Sequence, residues 1–187
     1  FNRITCFNIL PKKLLKKNCE LTLMENKNKI NLMITLVYDI LNSENEFSAR
    51  NLKNVLFAME NLEYKIVYYC DKLLTVKVVV EVNKMILYGK KSIKQHHYLR
   101  EKMAFTRHID NKEIIWYFDP IGFEDKLYIL IDNYNEEKIS CKKLFIKLLQ
   151  YHFFADGNGR SAKVLMNYME SDFFVNYKPI NEIKRFN

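Results

Sequence analysis

Glycine and proline are scarce in this chain, which contains four glycines and three prolines among its 187 residues. Because these two residues interrupt regular structure most strongly, their scarcity leaves long stretches free to form continuous elements. Apolar residues recur along these stretches at the three- and four-residue spacing of one helix face. The sequence therefore predicts a mostly α-helical protein, and its hydrophobic share of 49% is enough to build a core.

Capping residues indicate where the first helices begin and end. Asn31 and Ser48 are residues that cap a helix N-terminus, and Gly89 is a residue that ends one. A further apolar segment covers residues 62–70. Residues 76–82 are β-branched and favour a strand by propensity alone, but their helical surroundings favour a helix. The residues expected to face the core from the first two helices are Leu32, Leu36, Val37, Ile40, Leu41, Leu52, Val55, Leu56 and Met59.

The pattern changes in the second half of the chain. Residues 103–106 and 114–118 are short apolar or aromatic runs on either side of the polar residues 110–112, which is typical of a β-hairpin. Pro120 ends the second run. The helices expected beyond it run from about Glu124 to Tyr134, from Ser140 to His152 and from near Arg160 onward.

The spacing of the cysteines and the net charge limit the classes of protein to which this chain can belong. No two cysteines form a CxxC pair, so we expect neither a disulfide scaffold nor a zinc site. We expect reduced thiols in a cytoplasmic compartment, with export as an effector left open. The net charge of +8 attracts acidic partners, but no nucleic-acid-binding motif accompanies it, and DNA binding is a rival reading only. No apolar run is long enough to span a membrane. The cysteines are Cys6, Cys19, Cys70 and Cys141.

Residues 152–163 bring several reactive groups together. A helix delivers His152, and histidine is the residue type whose ordinary pKa suits a general base near neutral pH. Asp156 can hold Mg²⁺, which binds one or two carboxylates together with phosphate oxygens. A glycine-containing turn then opens a new helix, and such helix N-termini bind anions. Arg160 and Lys163 lie on one face of that helix and can add two cations. The segment predicts attack of a hydroxyl on a phosphoanhydride.

A buried corner between two helices is the alternative for the same segment. The string Asp-Gly-Asn-Gly is common in turns, and a single histidine at a helix end usually has a structural role. Each residue taken alone favours the corner. Their combination at these spacings favours the phosphate site.

The segment resembles the motif H-x-F-x-[D/E]-G-N-G-R-x-x-R of the Fic family. The resemblance implies a helical bundle with a small β-hairpin flap, which transfers AMP from Mg-ATP to a Ser, Thr or Tyr hydroxyl of a target protein. The chain departs from the motif at its last position, where Lys163 replaces arginine. The matching residues are His152, Phe154, Asp156, Gly157, Asn158, Gly159 and Arg160.

The resemblance implies a role for each matching position. His152 would be the general base, and Phe154 would anchor the loop in the core. Asp156 would bind Mg²⁺. The residues that would hold the phosphates of ATP are Gly157, Asn158, Gly159, Arg160 and Lys163.

A second part of the resemblance covers about residues 98–120, which are similar to the flap of the family. In that family an extended target segment pairs along the flap. The aromatic run Trp116, Tyr117 and Phe118 is therefore expected to dock a target protein, although packing within the hairpin is an alternative and both can hold. Members of the family often form dimers, so a homodimer is also expected.

The N-terminal part resembles family members that carry an inhibitory segment. We expect an extension over residues 1–19, one Fic-like domain over 20–187 and an inhibitory segment over about 20–42. The family pattern is [S/T]-x-x-x-E-[G/N], and none of the three Glu-Asn pairs matches it fully. Glu25 comes nearest and is the predicted inhibitory residue, with Lys163 as its partner. An exposed helix glutamate is the alternative.

Other functions are compatible with the same residues. De-AMPylation and transfer of another nucleotide, such as UMP, would use the same residues. A non-catalytic module that binds a nucleotide or a protein is the alternative from a different class, and Lys163 is its support in the motif. The sequence does not identify the target protein, the modified residue or the nucleotide base.

Overall fold

The computed structural model describes residues 31, 34–42, 47–69, 73–90, 99–107 and 114–171. Across these ranges the protein is mostly helical, as predicted. The elements are α1 (residues 34–42), α2 (Ala49–Tyr69), α3 (Val76–Ile86), β1 (Phe105–Arg107), β2 (Ile114–Trp116), α4 (Phe123–Asn135), α5 (Cys141–Tyr151) and α6 (Asn158–Ser171).

Side-chain caps begin three of the helices. The Ser48 hydroxyl accepts a hydrogen bond from the Asn51 amide at 3.1 Å, and the Ser140 hydroxyl accepts one from the Lys143 amide at 3.2 Å. Both caps were predicted. Thr75 caps α3 in the same way, and this cap was not predicted. Each cap satisfies an amide that would otherwise lack a partner at the helix start.

The predicted helix over residues 76–82 is confirmed, since α3 covers all of it. The first helices differ from expectation in two respects. Helix α2 continues to Tyr69 without a break, because neither glycine nor proline interrupts it. Leu52 is 46% exposed rather than buried. The buried face passes through Asn51 instead, because that side chain bonds across the core to Arg160.

The two strands pair antiparallel, with Phe105 opposite Trp116. The pairing continues one residue further, where the Tyr117 amide donates to the Ala104 carbonyl at 3.0 Å. Residues 108–113, which join the strands, lie outside the described residues. The role of this pair as a flap over the site stays a prediction.

Helix α6 occupies the centre of the fold. It packs against α2, α3 and α5, and residues 157–168 are buried without interruption. It begins at Asn158, two residues before the expected start near Arg160. The turn between α5 and α6 therefore leads directly into the buried centre of the fold. Within the described ranges, no helix combines the length and apolar character that crossing a bilayer requires.

Candidate active site

His152 lies where α5 ends and the chain turns. Its backbone has a φ of 52°, in the left-handed region, and its amide donates to the Leu148 carbonyl at 3.2 Å. Its ring stacks on the ring of Tyr117, with centroids 3.9 Å apart and planes 17° from parallel. A left-handed conformation is uncommon for a residue with a side chain, and such strained positions are frequent at functional sites. The turn directs the chain from α5 into the loop that leads to α6.

Arg100 stabilises this turn through several hydrogen bonds to backbone carbonyls. Its Nε donates to the carbonyl of His152 at 2.6 Å, and its Nη2 donates to the carbonyls of Tyr151, at 3.1 Å, and Phe118. Its backbone amide donates to the carbonyl of Phe153 at 2.8 Å. The side chain is 6% exposed. One guanidinium thus ties the end of α5 to the segment that follows β2.

Burial also affects the pKa of the Arg100 guanidinium. Desolvation lowers the pKa of the Arg100 guanidinium, and the nearby Asp119 and Tyr117 raise it in part. Arginine nevertheless stays protonated in proteins. The carbonyl oxygens that accept its hydrogen bonds stabilise the positive charge. The ring of Phe123, whose centroid lies 4.8 Å from Cζ, stabilises it further through a cation–π contact.

The loop between the helices is closed by Asn158. Its Oδ1 accepts from the Phe154 amide at 2.9 Å, and its Nδ2 donates to the Phe154 carbonyl at 2.7 Å. Phe154 itself is 3% exposed, in the core position expected of an anchor. Because the Asn158 side chain braces the loop, its predicted contribution to phosphate binding falls to its backbone N–H.

Gly157 permits a close approach between this loop and α3. Its φ is 72°, and a Cβ there would lie 3.1 Å from Asn83 Nδ2 and 3.2 Å from side-chain carbons of Ile86 and Leu87. The Asn83 amide donates to the Asp156 carbonyl at 2.9 Å and to the Ser161 hydroxyl at 3.1 Å. A side chain at position 157 would push α3 away from the loop.

Asp156 carries the negative charge of the site. Its Oδ1 accepts from the Gly157 amide at 2.5 Å and from Arg160 Nη2 at 3.3 Å, and its Oδ2 pairs with the Lys90 ammonium. Burial by itself raises the pKa of Asp156. The hydrogen bonds from Lys90 and Gly157, together with the charges of Lys90 and Arg160, outweigh burial and set the pKa below its ordinary value. The carboxylate is therefore ionised at neutral pH.

Arg160 is buried, with 4% of its surface exposed. Its Nη1 donates to Asn51 Oδ1 at 3.0 Å, so the first turn of α6 meets the first turn of α2. Its Nη2 faces Asp156. A phosphate that reached this guanidinium would share it with Asn51 and Asp156, which already orient it.

Lys163 is also buried, with 3% of its surface exposed. It lies one turn along α6 from Arg160, and its carbonyl accepts from Asn167 Nδ2 at 3.0 Å. The two cations expected to meet phosphate therefore both lie inside the fold.

The residues present fit a magnesium ion that is shared with phosphate. No described group of three or more His, Cys, Asp or Glu side chains could hold a metal alone. Asp156 offers one ionised carboxylate that is 29% exposed, and its Oδ2 already receives a cation from Lys90. Magnesium commonly takes one or two carboxylates and completes its shell with substrate phosphates and waters.

The three aromatics expected to dock a target do not share one environment. Trp116 is 59% exposed and Phe118 is 49% exposed, whereas Tyr117 is 8% exposed. The alternation follows from the extended backbone, in which successive side chains point to opposite sides. Tyr117 therefore faces His152 rather than a target, which differs from the prediction made for it.

Four residues of the site were missed in the sequence. Asn83 could have been found, because it interrupts the apolar face of α3 formed by Val79, Val82 and Ile86, and a polar residue there needs a partner. The other three, which are Asn51, Lys90 and Arg100, come from distant positions and carry no local signal.

Glu25 lies outside the described residues, so its predicted inhibitory role stays a prediction.

Comparison with known proteins supports the fold. No protein-family model matches the chain, and no curated protein matches it either. Among solved structures, it is similar to a Fic domain-containing signaling protein from Bacteroides thetaiotaomicron VPI-5482, with a TM-score of 0.54 and 21% sequence identity. The match covers 86% of this chain and 66% of the solved chain, so this chain spans just under two thirds of that protein. The chain has the fold of a Fic domain.

Proposed function

We propose that this protein transfers AMP from Mg-ATP to a hydroxyl of a target protein. The observation that carries the proposal is the turn over residues 152–160. It places a histidine, an ionised carboxylate and the start of a buried helix within one short loop, on a Fic-type fold. Helix N-termini bind phosphate through their amides, and this one begins with Asn158, Gly159 and Arg160.

In this reaction His152 takes the proton of the target hydroxyl. The hydroxyl oxygen forms a bond to the α-phosphorus of ATP, and the bond from that phosphorus to its bridging oxygen breaks. Pyrophosphate leaves. The backbone around Gly157–Gly159, with Asn158, binds the phosphate oxygens, and Arg160 and Lys163 add positive charge. Asp156 would hold Mg²⁺, which neutralises phosphate charge when bound.

The exposed aromatics beside β2 suit a target segment. Trp116 and Phe118 present their rings to solvent, and Trp116 belongs to a strand of a two-stranded pair. An extended peptide can add to such a strand edge. Since Phe118 is linked through Arg100 to His152, a segment docked there would lie close to the general base.

The position of a radiolabel distinguishes this reaction from its alternatives. Purified protein is incubated with a cell lysate and ATP labelled at the α- or the γ-phosphate, in parallel with His152→Ala. Kinases of the lysate transfer the γ-label in every sample, so the informative signal is the α-label. We expect protein-bound α-label that depends on the added protein, and its loss in His152→Ala by about 10²-fold or more. Equal labelling by the variant would refute the assigned role of His152.

Other outcomes of the same assay identify the rival functions. Stronger labelling from UTP would assign another nucleotide. Release of AMP from a pre-modified target, in excess of transfer, would assign de-AMPylation. ATP binding without label in any protein would leave the non-catalytic module, for which the replacement of the last motif arginine by Lys163 is the sequence argument.

A further inference from the structure

Tyr117 is buried against His152, whereas the residues on either side of it are exposed. It is 8% exposed, while Trp116 and Phe118 on either side are about half exposed. Its ring lies 3.9 Å from the imidazole of His152, at an angle of 17°. Such a close, nearly parallel stack restricts rotation of the smaller ring about its own side-chain bond. The stack engages the face of the imidazole rather than its edge.

The backbone on both sides of Tyr117 is fixed. Its amide donates to the Ala104 carbonyl of the opposite strand at 3.0 Å. The next carbonyl, of Phe118, accepts from Arg100, which also binds the carbonyl of His152. The backbone at His152 and the backbone beside Tyr117 are therefore held by the same guanidinium, so the two chain segments cannot move apart without loss of a hydrogen bond.

We infer that Tyr117 is a positioning residue, whose ring sets the plane of the His152 imidazole for proton transfer from the target hydroxyl. The inference rests on the proposed function. A general base works only within hydrogen-bond reach and at a suitable angle to the proton that it takes. A misplacement of about 1 Å can reduce a rate by about 10²-fold.

The arrangement also links target docking to the base. Trp116 and Phe118 offer their rings to a target, and Tyr117 between them contacts His152. A target that orders this segment also orders the imidazole. The side chains of these three successive residues thus point to two sides of the chain, one toward a target and one toward His152.

Two substitutions separate the ring from the hydroxyl of Tyr117. Tyr117→Phe keeps the stacking surface, whereas Tyr117→Leu keeps apolar bulk but removes the ring. Tyr128→Leu is the matched control, because Tyr128 is the same residue type in an exposed position of α4, where it is 51% exposed. Each variant is examined by NMR of the imidazole C–H groups of His152 and by steady-state kinetics of AMP transfer. Thermal unfolding shows that each one folds.

The ring current of a stacked tyrosine shifts the His152 imidazole protons upfield. We expect Tyr117→Leu to move these resonances downfield and to lower kcat by about 10- to 100-fold, with KM for ATP unchanged. Tyr117→Phe should keep both the shifts and kcat. Tyr128→Leu should match the parent in every readout.

Two results would overturn the inference. His152 resonances that do not move in Tyr117→Leu would show that no stack exists in solution. Moved resonances with an unchanged kcat would show that the stack has no positioning role. The NMR readout does not depend on activity. A parent without transfer activity would refute the proposed reaction and the role in proton transfer, while the shifts would still decide whether Tyr117 orients His152.

Discussion

At Gly157 two constraints meet in one residue. The backbone has a φ of 72°, which side chains disfavour, and the space that a Cβ would fill is bordered by Asn83, Ile86 and Leu87 of the neighbouring helical segment. The residue therefore permits both the turn toward α6 and its contact with α3. Steric requirements alone therefore select glycine at this position, independently of phosphate binding.

Gly157→Ala should lower the free energy of unfolding by about 2–4 kcal/mol, because conformational strain adds to crowding. Gly122→Ala is the control, since Gly122 has a φ of 68° but nothing within 4 Å of an added Cβ. It should cost about 1–2 kcal/mol from strain alone. Urea unfolding of both variants measures the difference. Equal losses would contradict the contact between the loop and α3.

Asp156 shows how charge shapes the same loop. Its pKa in the folded protein lies below its ordinary value of 3.8, so the ionised form is the one that the fold stabilises. The stabilisation is present above the unfolded pKa and is lost as the pH falls through the lower, folded pKa. Lys90 and Arg160 are the cations that supply it.

Asp156→Asn should be less stable than the parent at neutral pH, and the difference should shrink as the pH falls below about 3.8. Chemical unfolding across pH 2–7 tests this. Asp132→Asn, which changes an exposed acid on α4, is the control and should change stability by about 0.5 kcal/mol or less at neutral pH. A difference that persists at the lowest pH would mean that the carboxylate charge is not what Asp156 contributes.

At the scale of elements, one side chain joins pieces that are distant in sequence. Arg100 binds the end of α5, the segment after β2 and its own neighbour Lys102, whose carbonyl accepts from Nη1 at 2.7 Å. The fork of five donors is what lets a single residue serve several carbonyls. A lysine has the charge but not the geometry.

Arg100→Met should lower the free energy of unfolding by about 2–4 kcal/mol, since buried carbonyls lose charged donors. Arg100→Lys should recover only part of that loss. Arg50→Met replaces an exposed arginine of α2 and should change stability by about 0.5 kcal/mol or less. Full recovery in Arg100→Lys, measured by thermal unfolding, would show that charge alone holds the turn.

At the scale of the whole molecule, the predicted brake would link the N-terminal segment to the centre of α6. Glu25 is the nearest match to the inhibitory pattern, and Lys163 is its proposed partner. The burial of Lys163 means that such a pair would form inside the fold. Since a lysine makes one contact where arginine makes two, the brake should be weaker than an arginine pair.

Glu25→Gly should therefore raise self-modification with labelled ATP by a modest factor, about 2- to 10-fold, as expected for the loss of one charge contact. Glu20→Gly, in the same N-terminal region, is the matched control and should not change the signal. The measurement is the initial rate of label incorporation. An unchanged rate in Glu25→Gly would remove the brake from the account.

Local signals in the sequence predicted what local physics determines. Helix class and the caps at Ser48 and Ser140 follow from neighbouring residues, and the structure confirms them. Contacts across the fold could not be read in the same way. Nothing near Leu52 shows that Asn51 would take its buried place, because the reason is a bond to Arg160 far along the chain. The stack of Tyr117 on His152 is likewise set by strand register.

The proposed reaction requires His152 and the start of α6 to act on one bound ATP. Intact-mass spectrometry after incubation with Mg-ATP, alone and with a lysate, tests it most directly. We expect a mass increase equal to one adenylyl group, which is AMP less water, on the chain or on a lysate protein, and we expect it to be absent with His152→Ala and when Mg²⁺ is chelated. No adduct on any protein, or the same adduct in the His152→Ala sample, would contradict it.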